Sequence, residues 1–177
     1  PEAWDRLRLQ EGQYIVMTLH RPANVDEGGQ LKNLITKIVD SSRGLPLVFP
    51  VHPRTAKMMQ AIGIEAPNLH MIDPLGYLEF NYLVQHAKAV VTDSGGITEE
   101  TTVMHIPCMT LRDNTERPET CTIGTNELIG TNPDAIPPAF DKLFAVQWKK
   151  GEIPELWDGK TSERIINAII KLNLNLI

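Results

Sequence analysis

Short apolar runs rich in β-branched residues alternate with helix-like stretches along the chain, and this alternation most constrains the fold. The pattern predicts strands at residues 14–20, 47–52, 68–72, 90–92 and 108–111, with a short sixth at 128–129. It predicts helices at 31–42, 54–62, 77–87, 98–104, 138–148 and 162–172. Pro138 suits the first position of one helix, and Ser162 suits the N-cap of another. Strands alternating with helices indicate an α/β fold, a Rossmann-like doubly wound parallel sheet.

Length and charge narrow the classes of protein that fit. A chain of 177 residues can bury one sizeable core, so we predict a single domain spanning 1–177. A net charge of −5 and no visible basic stripe argue against nucleic acid as a partner. No apolar run approaches the roughly 20 residues that cross a bilayer, so we expect no membrane partner.

The termini and cysteines suggest the chain's origin. Its two cysteines are too few for a disulfide framework and lack metal-site spacing, which favours a cytoplasmic protein. The sequence begins at Pro1, without Met or a signal peptide, inside a helix-like stretch. We therefore expect an excised domain or fragment of a longer protein.

Polar residues follow the predicted strands at the points where those strands end. They are His20, His52, Asp73, the Asp93-Ser94 pair and the Arg112-Asp113 pair. In open parallel sheets, ligands bind outside the carboxyl ends of the strands. The sequence therefore predicts a binding site along this edge of the sheet.

The Ser94-Gly95-Gly96 turn is the most informative part of that edge, because it joins a strand to a helix. Glycines allow close approach of a ligand to the backbone, and a helix start supplies free N–H donors and a positive dipole end. This pattern favours a phosphate site. The alternative is a tight turn that needs glycine for positive φ. Neither a GxGxxG fingerprint nor a P-loop occurs in the sequence.

Charged residues surround this turn in the sequence. Asp93 is expected to bind hydroxyl groups of a ligand. Glu99 and Glu100 should point about 100° apart on a helix, so one faces the ligand and the other faces solvent. The charged segment 112–119 is either a loop that folds over a ligand or a self-satisfied ion network. We find no nucleophile triad and no metal cluster in the sequence, and we expect the three tryptophans to be packing residues.

Five segments together resemble the UDP-N-acetylglucosamine 2-epimerase family. They are TLHRPAN, VFPVHP, IDPLGYLEF, TDSGGITEE and LRDNTERPET. Their order and spacing resemble the carboxyl half of those enzymes over nearly the whole chain. The resemblance implies one half of a GT-B-type two-domain enzyme, with the active site in the cleft between the domains.

The resemblance also implies roles for individual residues. Ser94, Gly95 and Gly96 would form the diphosphate loop, and Glu100 would bind the ribose. Phe80 would belong to the uridine pocket, and Arg117 would contact the ligand. His20 would be the catalytic histidine. Arg21 and His52 would belong to a regulatory UDP-sugar site. The family reaction inverts C2 of the sugar by eliminating and re-adding UDP through a 2-acetamidoglucal, without metal, NAD or another cofactor.

The partners implied are the UDP-sugar substrate, the amino-terminal domain of the same enzyme, and a second copy in a homodimer of the full-length protein. Since the acids that move the C2 proton belong to the amino-terminal domain, we expect this chain alone to be inactive.

The sequence departs from the family pattern at three positions. Ala23 stands where Glu is frequent, His105 where Gly is usual, and Leu75 where some members have a polar residue. These departures suggest a related substrate, such as a UDP-linked 2,3-diacetamido uronic acid. The sequence is also compatible with a GT-B glycosyltransferase half, with a UDP-sugar-sensing module without catalysis, and with a hydrolysing epimerase.

Overall fold

Six strands form one parallel sheet in the computed structural model, which describes residues 2–25, 28–51 and 53–174. The strands are β1 (Ile15–Thr18), β2 (Leu47–Pro50), β3 (Leu69–Ile72), β4 (Ala89–Thr92), β5 (Cys108–Thr110) and β6 (Asn126–Leu128). Their order across the sheet is β3-β2-β1-β4-β5-β6, and every neighbouring pair is parallel. The chain winds outward from β1 in one direction and from β4 in the other. The boundary between β1 and β4 is therefore the topological switch point.

Helices connect the strands. Within the described residues they are α1 (Glu2–Leu7), α2 (Pro22–Val25), α3 (Gly28–Ser41), α4 (Pro53–Ile62), α5 (Tyr77–Gln85), α6 (Gly95–Val103), α7 (Pro118–Thr122), α8 (Ile136–Phe144) and α9 (Thr161–Leu174). A 3-10 turn at Pro133–Ala135 precedes α8. The predicted fold class is confirmed, and each predicted strand and helix corresponds to an observed element.

Alternate residues of each strand face opposite sides of the sheet, and both sides are covered. On one face, Ile15 and Met17 pack with apolar residues of α3, α4 and α8. On the other face, Val16 and Val90 pack with residues of α1 and α5. Burial on both faces explains why the strands read as continuous apolar runs.

Two residues that were predicted to mark helix starts hold other positions. Helix α8 begins at Ile136, so Pro138 is its third residue rather than its first. The reason is local, because Asn132 accepts a hydrogen bond from the Asp134 N–H at 3.0 Å and starts a 3-10 turn that runs directly into α8. Ser162 lies inside α9 rather than at its N-cap. Asp158 anchors that end instead, since it accepts from the Lys160 N–H at 3.0 Å and pairs with Arg164 at 2.5 Å.

The sequence predicts that no segment of the chain crosses a membrane. None of the helices in the described residues is both long enough and apolar enough to span a bilayer.

Candidate functional site at the carboxyl edge of the sheet

The ends of β1 and β4 are tied together at the switch point. The hydroxyl oxygens of Thr18 and Thr92 lie 2.6 Å apart across the two strands. The Ser94 N–H also donates to the Thr92 hydroxyl, at 3.0 Å. The loops that leave these strands therefore start from fixed points.

Asp93 lies beneath this edge and is fully buried. Its carboxylate accepts hydrogen bonds from the backbone N–H groups of His20 and Arg21, at 3.1 and 2.9 Å. It also accepts from Nδ2 of Asn24 at 3.1 Å, and His20 Nδ1 lies 2.7 Å from Oδ1. The expectation that Asp93 binds ligand hydroxyls is wrong, because protein donors already occupy its carboxylate.

The contact between His20 and Asp93 alters the protonation of both side chains. Burial raises the pKa of the Asp93 carboxyl, but hydrogen bonds from His20, Arg21 and Asn24 outweigh burial and hold this pKa below its ordinary 3.8. The hydrogen bond to Asp93 raises the pKa of His20 above 6.5, against the opposing effects of partial burial and the Arg21 charge. The His20 side chain is 59% exposed, so the imidazole faces outward at this edge.

The Ser94-Gly95-Gly96 turn leads directly into α6, with Ser94 in extended conformation at the N-cap. Neither glycine has positive φ, so the alternative of a strained tight turn does not explain them. A Cβ at Gly96 would meet no described atom within 4 Å. At Gly95, it would lie 3.5 Å from Glu116 Oε2 and 3.6 Å from Arg112 Nη1. Open space above bare backbone N–H groups is the arrangement that admits an anion.

The loop after β5 carries an ion pair beside this turn. Arg112 is 5% exposed and donates through both terminal nitrogens to Glu116, at 2.8 and 2.6 Å. Arg112 also donates to Asn114 Oδ1 at 3.1 Å. Arg112 and Glu116 therefore pair with each other, as in the alternative of an ion network within the segment. Their ion pair holds the loop next to Gly95.

Glu99 and Glu100 point in different directions, as predicted. Glu99 Oε1 accepts from Nε of Arg117 at 2.6 Å. Glu100 lies beside Tyr77 and Asn81 of α5. Burial is the main cause that raises the pKa of Glu100 above its ordinary 4.5; the Glu99 charge adds to it, while the side chains of Tyr77 and Asn81 oppose it.

An open pocket of about 370 Å³ lies beside Glu100. Tyr77, Val103, Met104 and Trp157 contribute to its walls. Tyr77 and Trp157 were not among the predicted site residues, because only the fold brings α5 and the segment before α9 next to α6.

The remaining predicted site residues are placed as follows. Phe80 lies in α5 and packs, partly buried, against the core on that face. His52 falls outside the described residues. Arg21 donates from Nε to the Asp93 backbone carbonyl at 3.0 Å. In the described part of the chain, no cluster of three or more His, Cys, Asp or Glu side chains is placed to hold a metal ion.

His105 lies away from this edge, contrary to the idea that it marks a different substrate. It follows the carboxyl end of α6 with φ of 56°. It lines a separate pocket of about 470 Å³ with Lys88 and Pro107, which precede β4 and β5. This pocket lies at the amino ends of the strands, so His105 cannot contact a ligand held at their carboxyl ends.

A doubly wound parallel sheet with an open helix start at its switch point places the chain among the α/β proteins whose ligands bind at the carboxyl ends of the strands. Comparison with known proteins identifies it further. The chain belongs to the UDP-N-acetylglucosamine 2-epimerase family, whose signature matches residues 2–170.

Individual relatives agree with this family assignment. A UDP-N-acetylglucosamine 2-epimerase of Methanocaldococcus jannaschii is 36% identical over 168 residues, covering 90% of this chain and 45% of the relative. A UDP-2,3-diacetamido-2,3-dideoxy-D-glucuronate 2-epimerase of Pseudomonas aeruginosa is 38% identical over 168 residues, covering 94% of this chain and 46% of the relative.

The structural comparison gives the same result. The crystal structure of the M. jannaschii enzyme in complex with UDP-GlcNAc and UDP superposes with a TM-score of 0.81 at 34% identity. The match covers 96% of this chain and 48% of that structure. The chain thus spans about half the length of its relatives, as expected for one half of a GT-B-type enzyme.

Proposed function

We propose that this chain is the UDP-binding half of a UDP-GlcNAc 2-epimerase that interconverts UDP-GlcNAc and UDP-ManNAc or a related UDP-2-acetamido sugar. The observation that carries the proposal is the Ser94-Gly95-Gly96 turn at the switch point. Neither position needs glycine for its backbone conformation, and Gly96 faces open space, which suits a diphosphate on the first N–H groups of α6.

The other assignments extend from that anchor along the sheet edge. Glu100 accepts the ribose hydroxyls, and the base lies toward Phe80 on α5. Arg117, which pairs with Glu99 of α6, contacts the ligand as well. Arg21 and His52 are the candidates for a regulatory contact with a second UDP-sugar.

In the proposed reaction, this half of the enzyme stabilises the negative charge of the departing diphosphate. Donors already fixed toward developing negative charge lower the barrier, because they need no reorganisation during the reaction. The start of α6 supplies such donors, and the raised pKa of His20 favours a positive charge on the same edge. Elimination of UDP gives the 2-acetamidoglucal, and re-addition follows reprotonation at C2 on the opposite face. No cofactor enters this scheme.

The acids that move the C2 proton would come from the amino-terminal half of the enzyme, and α9 offers a surface for that half. Its exposed apolar side chains are Ile165, Ile166, Ile169, Ile170 and Leu172, each between 51% and 64% exposed. An apolar stripe of this size on a helix is normally covered. We propose that the amino-terminal half covers it, and that the full-length enzyme is a cytoplasmic homodimer.

A second substrate is favoured by one comparison. The P. aeruginosa relative that is named for a 2,3-diacetamido uronate is as similar to this chain as the relatives named for UDP-GlcNAc. Both substrates present the same UDP, so this half would bind either through the same residues. Their sugars differ at C3 and C6, and turnover of the two by the full-length enzyme discriminates between them.

Calorimetric titration of UDP into the purified chain tests the proposal. We expect saturable binding that Glu100→Ala and Arg117→Ala each weaken, with uridine binding far more weakly than UDP. Glu65→Ala is the matched control, because Glu65 is exposed in the segment between α4 and β3. A folded chain that binds uridine as well as UDP, or neither, would remove the diphosphate assignment. Interconversion of the two UDP-sugars by the chain alone would contradict the need for a second half.

A further inference from the structure

Asn24 joins three loops of the site from a buried position. Its Nδ2 donates to Asp93 Oδ2 and to the backbone carbonyl of Leu111, both at 3.1 Å, and the residue is 1% exposed. Asn24 therefore connects the segment after β1 to the segments after β4 and β5. Its Oδ1 has no hydrogen-bond partner among the described residues, so the side chain is held entirely by what it donates.

Asp93 is oriented by this arrangement without help from a ligand. The backbone N–H groups of His20 and Arg21 and the side-chain amide of Asn24 donate to its carboxylate and fix its orientation. The remaining contact is with Nδ1 of His20, at 2.7 Å. Because Asp93 is fully buried while His20 is largely exposed, the carboxylate positions the ring rather than the reverse.

This contact determines which nitrogen of His20 is available. A proton on Nδ1 that is shared with a buried carboxylate sets the tautomer and orientation of the imidazole. The second ring nitrogen, Nε2, lies across the ring from Nδ1 and thus on its outward side. In the cationic form, Nε2–H is a charged hydrogen-bond donor at the carboxyl edge of the sheet, where α6 begins.

We propose that Asp93 is a positioning residue that, with Asn24, holds His20 as an imidazolium whose Nε2–H donates to an oxygen of the nucleotide diphosphate. This inference rests on the proposed function for the identity of the ligand. His20 keeps its proton and acts through charge, because the buried carboxylate stabilises the cation. No bond to hydrogen is broken in this role.

The other charged groups around His20 support this role. Arg21, in the same loop, turns its Nε to the Asp93 carbonyl and lies 3.9 Å from Glu116 through Nη2. Arg112 is paired with that same glutamate. Both arginines therefore have their own acceptors, and Asp93 is the carboxylate that His20 faces.

The imidazole resonances of the ligand-free chain test the inference by two-bond ¹H–¹⁵N correlation across pH. We expect His20 of the wild type to titrate above 6.5 and its neutral form to carry the proton on Nδ1. In Asp93→Asn, the His20 titration should fall to or below 6.5 and the neutral proton should move to Nε2. His86, whose Nδ1 lies 2.8 Å from the Tyr82 carbonyl, is the internal control and should be unchanged.

UDP binding supplies the second readout. At pH 7, Asp93→Asn and His20→Gln should each weaken UDP by about tenfold, the loss of one hydrogen bond to a charged group. The double variant should be no weaker than either single variant, because both act through one ring. Additive losses would overturn the inference.

The two readouts separate this inference from the proposed function. If His20 of the wild type titrates at or below 6.5, the inference fails even if UDP binds, and no folded variant is needed to see it. If the resonances behave as expected but UDP does not bind, the nucleotide assignment fails, while control of His20 by Asp93 stands.

Discussion

The side chain of Arg117 donates from Nε to Glu99 Oε1 at 2.6 Å, linking the N-cap residue of α7 to the first turns of α6. Both side chains are about half exposed, at 52% and 40%. Arg117 is proposed to contact the nucleotide, so the Glu99 carboxylate competes with the nucleotide for this arginine. Exposed pairs of this kind are worth about 0.2–1 kcal/mol, so a diphosphate can displace the glutamate.

Replacing Glu99 with Gln should therefore tighten UDP binding. We expect the Kd to fall by about two- to fivefold, which corresponds to the strength of an exposed ion pair. Calorimetry at low salt measures the effect, and higher salt should shrink it. The same substitution in an Arg117→Ala background shows how much of the gain comes from the glutamate charge alone. Weaker binding by Glu99→Gln would mean that Glu99 holds Arg117 in its binding position.

A methyl group at Gly96 should separate folding from binding. The position has helical geometry and open space, so Gly96→Ala should leave the chain as stable or raise its unfolding free energy by about 0.5–1 kcal/mol. The same methyl would obstruct a phosphate on the backbone, and UDP affinity should fall by at least about tenfold. Gly29→Ala is the matched control, since its Cβ also meets nothing within 4 Å but it lies in α3. Retention of full UDP affinity by Gly96→Ala would remove the phosphate from this turn.

UDP affinity should pass through a maximum with pH. His20 is cationic below its raised pKa, so affinity should fall as pH rises through that value. Glu100 is anionic above its raised pKa, so affinity should fall as pH drops through that value. Calorimetric Kd values in buffers of matched ionic strength trace both limbs.

Two variants assign the limbs of that pH profile. His20→Gln should flatten the alkaline limb and Glu100→Gln the acid limb. The terminal phosphate of UDP titrates as well, and its contribution should persist in both variants. An alkaline limb that survives in His20→Gln would show that another group is responsible for it.

Two helices end on residues where glycine would be more stable. Val146 follows α8 with φ of 57°, the Val146 N–H bonds to the Leu143 carbonyl, and the Gln147 N–H bonds to the Lys142 carbonyl. This is the Schellman arrangement, in which glycine is favoured at the left-handed position. Val146 is 88% exposed, so its side chain contributes little packing. Val146→Gly should raise the unfolding free energy by about 1 kcal/mol.

His105 occupies the equivalent position after α6, with the Ile106 N–H bonded to the Thr101 carbonyl. His105→Gly should also stabilise the chain, by somewhat less, because His tolerates this conformation better than a β-branched residue. Val103→Gly is the control, since Val103 is helical and 46% exposed, and this change should destabilise. Urea unfolding measures all three. Destabilisation by Val146→Gly would show that its side chain packs more than its exposure indicates.

The contact between Asp93 and His20 should leave a signature in stability against pH. The lowered pKa of Asp93 contributes stability that is complete above 3.8 and is lost as pH falls through the lowered value. The raised pKa of His20 contributes stability that is complete below 6.5 and is lost as pH rises through the raised value. The pair should therefore stabilise most between 3.8 and 6.5.

Comparison of the wild type with His20→Gln by urea unfolding checks this window. The difference should be at most about 1 kcal/mol, because His20 is more than half exposed and water screens the interaction. It should shrink on both sides of the window. A difference that does not change with pH would indicate that His20 contributes packing rather than charge.

Some features of the fold were hard to predict because their local signal is weak. Helices α2 and α7 have four and five residues, too few to show a helical period. In helix α7, the Thr120 hydroxyl donates to the Arg117 carbonyl at 2.8 Å and accepts from Asn126 of β6 at 3.2 Å. The contact with Asn126 requires that β6 has joined the sheet.

The sequence by itself determined the alternation of strands and helices, the edge of the sheet where polar residues follow the strands, and the Ser94-Gly95-Gly96 turn, because periodicity and turn chemistry are local properties. Only the tertiary structure decided what the charged side chains do. Asp93 is buried under His20, which lies 73 residues earlier in the chain, and His105 lies at the opposite end of the strands. Whether a carboxylate binds a ligand or a neighbouring residue depends on which distant donors reach it, and adjacent β1 and β4 bring those donors together.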